Sequence, residues 1–275
     1  MSPFRASAGF TGNWRHIDLA VEDGVATVTL CRPDKLNALT FEAYADLRDL
    51  LAELPHRDDV RVLVLAGQGR GFCSGGDVEE IIGELQGMKT AELLEFTRMT
   101  GAVVKALRES PLPVIAAVHG IAAGAGAVLA LASDFRLLAR SAAFAFLFTK
   151  VGLAGADMGS AYLLPRLVGL GRATELLMLG DKLDAERAER IGLATSVVPD
   201  AELPGAVRAL ARRLADGPAG AYSATKVLLT RELDMDLGAS IELEAMTQAL
   251  LMTGEDHREF YRAWSEGRGA RWTGR

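Results

Sequence analysis

Apolar runs of strand length, each followed by a turn-rich segment and then by a helix-length stretch, recur along the first two thirds of this sequence. That alternation admits few folds. Trp14 to Val21 and Val25 to Leu30 read as two strands joined at Glu22-Asp23-Gly24, a hairpin turn signal. Thr40 is placed to cap a helix running to about Glu53, with Phe41, Tyr44, Ala45, Leu47 and Leu51 as its apolar face. Val60 to Ala66 is β-rich, the loop Gly67 to Asp77 follows, and a new helix begins at Val78. After a long helical stretch ending near Glu109, Pro113 introduces the strand Val114 to Val118. Gly120 to Gly126 then leads into a short apolar helix to about Ala132, and Phe135 to Ala139 is a further strand. This predicts an α/β domain with crossover connections. From Pro204 the signals turn helical, over Pro204 to Ala215, Ala219 to Arg231, Leu237 to Met252 and Asp256 to Ser265. The division falls near Pro199 to Pro204, giving a core over 1–200 and a helical region over 201–275.

A net charge of −6 argues against a general nucleic-acid binder, which needs a basic surface to neutralise phosphates. The two cysteines, Cys31 and Cys73, stand in no metal-ligand spacing, and no metal site is expected. Met1 to Gly12 is small and polar, without the apolar run of a signal peptide. The greasy stretches are broken by Gly, His or Asp before the roughly 18 residues of a membrane span. A soluble, reduced, cytoplasmic protein is the expectation.

Two glycine-rich loops, Gly67 to Asp77 (GQGRGFCSGGD) and Gly120 to Gly126 (GIAAGAG), each read as lying between a strand and a helix. Such loops let backbone N–H groups face a ligand, and a helix N-terminus adds free donors. Two of them converging would aim two N–H groups at one oxygen, an oxyanion hole. The Gly120 to Gly126 loop is neither a Walker A nor a Rossmann fingerprint, and each loop taken alone also fits a plain tight connection.

Four segments in order resemble the crotonase superfamily, also called the enoyl-CoA hydratase/isomerase family. They are CRPDKLNALT, VRVLVLAGQGRGFCSGGDVEE, VIAAVHGIAAGAGAVLALASD after Pro113, and GSAYLLPRLVGLGRATELLMLGD, continued by AERAERIGLATSVVP. The resemblance implies a spiral of ββα units with a helical C-terminal region used in assembly, as a homotrimer or a dimer of trimers. It implies an acyl-CoA substrate, no membrane partner, and no tightly bound cofactor, coenzyme A entering as part of the substrate. It places the oxyanion amides at Gly76 and Ala125, the thioester flank at Ser74, Asp77 and Val78, and the CoA-lining segment at Lys35, Leu36 and Ala38. Lys35 also fits a solvated loop position.

Hydratases of this superfamily keep two glutamates that hold a water; the corresponding positions here read Val128 and Phe148. Neither side chain can carry a proton, and each lost acid/base group typically removes about 10² to 10⁴ in rate. Asp157, in GADMGSAYLLPR, falls where dienoyl-CoA isomerases, 3-hydroxyisobutyryl-CoA hydrolases and 4-chlorobenzoyl-CoA dehalogenases have a working aspartate. Dehalogenases also use a histidine on the preceding helix, which has none here. Asp157 therefore reads either as the acid/base, its pKa raised among Val128, Phe146, Phe148 and Met158, or as an N-cap or loop aspartate for the helix near Ser160 to Val168. His119 and Asp134 read as structural, His16, His56 and His257 as surface residues, and Glu79, Glu80 and Glu84 as a solvated face. Arg262, Arg268, Arg271 and Arg275 fit either a contact to a neighbour's CoA phosphates or an ordinary basic tail. The expected function is acyl-CoA processing through a thioester enolate. Hydrolase or dehalogenase-like chemistry, or a catalytically weak CoA-thioester-binding protein, are the alternatives.

Overall fold

In the computed structural model, which describes residues 14–274, the hairpin forms as its turn residues demand. β1 (Ile17–Glu22) and β2 (Val25–Leu30) pair antiparallel, Ile17 opposite Leu30 and Glu22 opposite Val25. Between them Asp23 and Gly24 take left-handed φ of 49° and 82°, the backbone twist of a tight hairpin turn. Thr40 caps α1 (Phe41–Glu53), its hydroxyl accepting from the Ala43 amide. The buried face of α1 is Ala43, Tyr44, Leu47, Leu50 and Leu51, with Phe41 and Ala45 only half-buried. The helix is thus rotated slightly from the face read from its periodicity.

β3 (Val62–Gly67) follows, then a π-helical turn over Val78–Gly83, α2 (Thr90–Glu109) and β4 (Val114–Val118). Gly120 to Gly126 is not wholly loop. Ile121–Ala123 form a strand, β5, before α3 (Ala125–Ala132). After β6 (Phe135–Ala139) and β7 (Ala143–Ala145) come α4 (Ser160–Val168), α5 (Leu170–Leu179), β8 (Leu183–Asp184), α6 (Ala185–Arg190) and β9 (Ser196–Val198). Four helices close the chain: α7 (Leu203–Ala215), α8 (Ala219–Arg231), α9 (Leu237–Met252) and α10 (Glu255–Ser265).

The main sheet has the order β1-β2-β3-β4-β6-β9, parallel from β2 onward, and the smaller one β5-β7-β8. The chain advances one main-sheet strand per crossover and so winds as a spiral. In successive turns a second short extended segment stands between strand and helix: Leu39 before α1, Cys73 to Gly76 before the π-turn, and β5 before α3. These segments also lie side by side, through parallel bridges Leu39 to Gly76 and Cys73 to Ala122 and the parallel β5–β7 pairing. The two glycine-rich loops are therefore neighbours because they occupy the same place in consecutive turns.

Both faces of the main sheet are covered, which is why β3 reads as an unbroken apolar run. Leu63 and Leu65 point into the core beneath α1 to α3, while Val62 and Val64 point into a second core. α7 closes that second core with Leu203, Val207, Ala211, Leu214 and Ala215, spaced for one helical face. α8 to α10 differ: Leu237, Ile241, Leu250, Phe260 and Trp264 stay exposed. Among the described residues no helix is long and apolar enough to cross a membrane.

Candidate active site

The first loop is tied to the second by backbone bonds. Phe72 N–H donates to His119 O, Cys73 N–H to Ile121 O, and Ala123 N–H to Cys73 O, at 2.9, 3.1 and 2.8 Å. A side chain on Gly126 would fall on the Cys73 carbonyl oxygen, so this glycine is required for the approach of α3 to the loop. Gly75, with φ of 103°, presents the face where a Cβ would lie 3.5 Å from the Ala125 nitrogen. That brings the peptide leading into Gly76 against the start of α3.

Among the described residues neither the Gly76 nor the Ala125 N–H is spent on a backbone carbonyl. Ala125 opens α3, so its N–H is one of the helix's free donors. Gly76 is straddled instead: Leu39 N–H donates to Gly75 O and Asp77 N–H donates to Leu39 O, leaving the amide between them unbonded. Two free donors on adjacent turns are the geometry from which an oxyanion site is built.

The segment 35–38 lies against this loop. Ser74 N–H donates to Leu36 O at 2.9 Å and the Ser74 hydroxyl to Lys35 O at 3.3 Å. Leu36 and the following Asn37 both take left-handed φ, 50° and 56°. Asn37 is fully buried, and its Nδ2 reaches the carbonyls of Gln68 and Gly71 at 2.8 Å while its Oδ1 accepts from Arg32 N–H. Sequence reading passed over Asn37 and Arg32; the available signal was an Asn beside a turn, the residue type that best tolerates this conformation. Lys35 is exposed and paired with Glu79 at 3.2 Å, and Val78 is exposed. Ala38 is buried and its carbonyl accepts from Arg32.

Asp77 is buried and fully engaged. Its Oδ1 accepts from the Glu79 and Glu80 amides at the start of the π-turn, and its Oδ2 pairs with Arg32 at 3.1 Å. The backbone donors, then the Arg32 guanidinium, hold its carboxyl below the ordinary carboxylate range. Cys73 is sealed in the core, and burial pushes its thiol up to about 12, far from a nucleophile's value.

Asp157 is placed otherwise. It lies half-buried in the turn before α4, where Met158 and Gly159 take left-handed φ of 50° and 83°. The N-cap of α4 is Gly159, and no side chain caps the helix, so Asp157 is not its cap. Asp157 Oδ1 accepts from Met158 N–H at 2.8 Å; Oδ2 has no hydrogen-bond partner among the described residues. Burial raises its pKa, the Met158 amide opposes the rise, and no cation contributes. Val128, Phe146, Phe148 and Met158 are buried in one core cluster.

The other candidates have structural employment. His119 Nε2 lies 3.0 Å from Gly69 O. Asp134 receives Lys226 Nζ and the Val114 N–H at 2.8 Å and Arg108 at 3.3 Å, tying α8 to the core. Arg262 and Arg268 pair with Glu255 and Glu259 inside the C-terminal arm, while Arg275 lies outside the described residues, as does Met1 to Gly12.

The profile of the enoyl-CoA hydratase/isomerase family matches residues 20–275. The chain belongs to this family, the crotonase superfamily, and its spiral with a helical C-terminal region is the crotonase fold. It is 39% identical over 265 residues to a Rhodobacter capsulatus protein named "Probable enoyl-CoA hydratase", covering 96% of this chain and 100% of that one. To the 1,2-epoxyphenylacetyl-CoA isomerase of Escherichia coli K12 it is 38% identical over 255 residues, covering 93% and 97%. A crystal structure from Streptomyces coelicolor A3(2), described provisionally as an enoyl-CoA hydratase, matches with a TM-score of 0.97 at 67% identity over 100% of both chains.

Proposed function

We propose that this enzyme isomerises an acyl-CoA thioester, with the Gly76 and Ala125 amides holding the thioester oxygen and Asp157 moving the proton. Removal of a proton α or γ to the carbonyl leaves an enolate whose charge collects on the thioester oxygen. Two preorganised N–H donors stabilise that charge, an effect worth about 3–4 kcal/mol per donor in comparable sites. Asp157 takes the proton on its free Oδ2 and returns it to a different carbon, so one carboxylate completes the cycle. Its raised pKa brings it nearer the working pH, where a group serves both as base and as acid.

The observation that carries this reading is the half-buried carboxylate of Asp157, whose Oδ1 accepts only from the Met158 amide and whose Oδ2 has no partner among the described residues. Val128 and Phe148, standing where hydratases keep glutamates, leave no second acid to orient a water. The isomerase relative supports the same choice, and the hydratase names of the other relatives keep hydration as the second reading. Lys35, Leu36 and Ala38 line the CoA in this scheme, with Ser74, Asp77 and Val78 beside the thioester. The exposed apolar residues of α9 and α10 support subunit association through region 201–275, which this reading takes as a trimer or dimer of trimers.

The test is turnover in deuterated water of 3-hexenoyl-CoA, 2-hexenoyl-CoA and 1,2-epoxyphenylacetyl-CoA, followed by mass spectrometry. Isomerisation gives a product of the same composition, with deuterium at the exchanged carbon. A gain of water would replace the reading with hydration, and free CoA would replace it with thioester hydrolysis.

A further inference from the structure

Tyr44 carries a hydroxyl that the fold buries and does not use. It projects from the second turn of α1 and is 3% exposed. Its ring packs edge-on against Phe96 of α2, with centroids 5.8 Å apart at 82°. A tyrosine buried this deeply normally finds a partner for its O–H. Among the described residues Tyr44 Oη has none, yet it is not one of the sealed, unsatisfied oxygens, which are Thr149 Oγ1 and Glu232 Oε1. The oxygen therefore keeps a sliver of surface within reach of a water molecule.

The hydroxyl lies beside Gly76. A Cβ built on Gly76 would stand 3.9 Å from Tyr44 Oη and 3.8 Å from the Ile81 side chain. Glycine leaves this volume empty, so the hydroxyl and Ile81 form one flank of the amide assigned to the thioester oxygen. Burial above all pushes the Tyr44 phenol well above its ordinary value, with further contributions from Cys73 and then Asp157. It stays neutral and keeps its proton to donate.

We propose that Tyr44 Oη hydrogen-bonds an oxygen carried on the acyl group beyond the thioester carbonyl, so that the enzyme selects hydroxy-, oxo- or epoxy-acyl thioesters over plain hydrocarbon ones. The selection follows from the orphaned donor. A hydrocarbon acyl group entering this flank displaces water and leaves the phenol without a partner, whereas an oxygenated one supplies it. The rest of the flank, Ile81 and Phe96, is apolar and makes no such distinction.

This specificity rests on the acyl-CoA reading above, and the experiment separates the two. Binding of hexanoyl-CoA and of its 5- and 6-hydroxy derivatives, which lack the double bond, is measured by calorimetry on the wild type and on Tyr44→Phe. The wild type should bind one hydroxylated thioester about 10- to 100-fold more tightly than hexanoyl-CoA, and Tyr44→Phe should bring that ratio to about one. The phenylalanine keeps the ring contact with Phe96, and its melting temperature reports whether the fold is intact. The matching 3-hexenoyl-CoA substrates should show the same loss of preference in kcat/KM. Equal affinity of the wild type for both thioesters overturns the proposal without any variant. So does a Tyr44→Phe loss that is the same for hydroxylated and plain ligands, which would mark a structural role or a third oxyanion donor. Preferential binding without isomerisation of any substrate would sustain the Tyr44 assignment while removing the isomerase reading.

Discussion

Asp77 and Asp157 carry the same side chain in opposite circumstances. Asp77 closes the first glycine-rich loop, is nearly sealed from solvent, and is saturated by two amides and the Arg32 guanidinium. Asp157 sits in a left-handed turn before α4, less buried, with one amide on one oxygen and no partner on the other. Asp77 has the lowered pKa and Asp157 the raised one. Desolvation raises both, and the donors supplied to the charged form outweigh it at Asp77 but not at Asp157, where desolvation is the largest cause. Asp77 is spent on holding the loop, and its ionisation is fixed. Asp157 is the carboxylate left free to change its proton.

The largest expected effect breaks the comparison at Asp157. Asp157→Asn keeps the shape and the Met158 bond and removes the titrating oxygen, so kcat should fall about 10²- to 10⁴-fold while CoA-ligand affinity is retained. A variant with near wild-type turnover would move the chemistry elsewhere.

Breaking the other side should read out as stability. Asp77→Asn keeps a competent helix cap and loses the charge facing the half-buried Arg32, with an expected cost of about 1–3 kcal/mol in urea unfolding. No loss at neutral pH would show that Glu80, the second partner of Arg32, suffices.

The comparison sharpens with pH, because the two shifts have opposite signs in linkage. Asp77 has its folded pKa lowered, so its contribution is present above the unfolded value and is lost as pH falls through the folded one. The deficit of Asp77→Asn should therefore shrink in acid. Asp157 has its folded pKa raised, so the native state holds the proton longer and stability falls as pH climbs from the unfolded to the folded value. Asp157→Asn should accordingly be slightly more stable than the wild type above that window and equal to it below. The smallest effect expected is an ascending limb of kcat/KM with an inflection above the usual carboxylate range. A limb that survives in Asp157→Asn would assign it to another group.

Local signals were fully legible in the sequence where a residue dictates its own backbone. The Asp23-Gly24 turn, the Thr40 cap and the fully buried strands follow from positive φ, a hydroxyl acceptor and unbroken apolar runs. Asp157 was visible as a candidate, and Gly159 at the N-cap removes only the capping role, leaving an acid/base or a loop aspartate. β5 was hidden inside GIAAGAG because so short a run, Ile121 to Ala123, forms a strand only when Cys73 and β7 run alongside it. Asn37 was hidden because its partners, Gln68 and Gly71, lie some thirty residues away, with separations of 31 and 34.

What the sequence by itself determined is therefore most of the main-sheet strands and the C-terminal helices, the two glycine-rich loops and the family to which they belong. Short-range chemistry and motif order are enough for these. Only the tertiary structure decided that the Gly76 and Ala125 amides stand together, that Asp77 is saturated while Asp157 is not, and that the Tyr44 hydroxyl is left without a partner. Each of those depends on the spiral laying one turn on the next. Hydrogen bonding and desolvation act over a few ångströms of space, and the spiral sets which distant residues share that space.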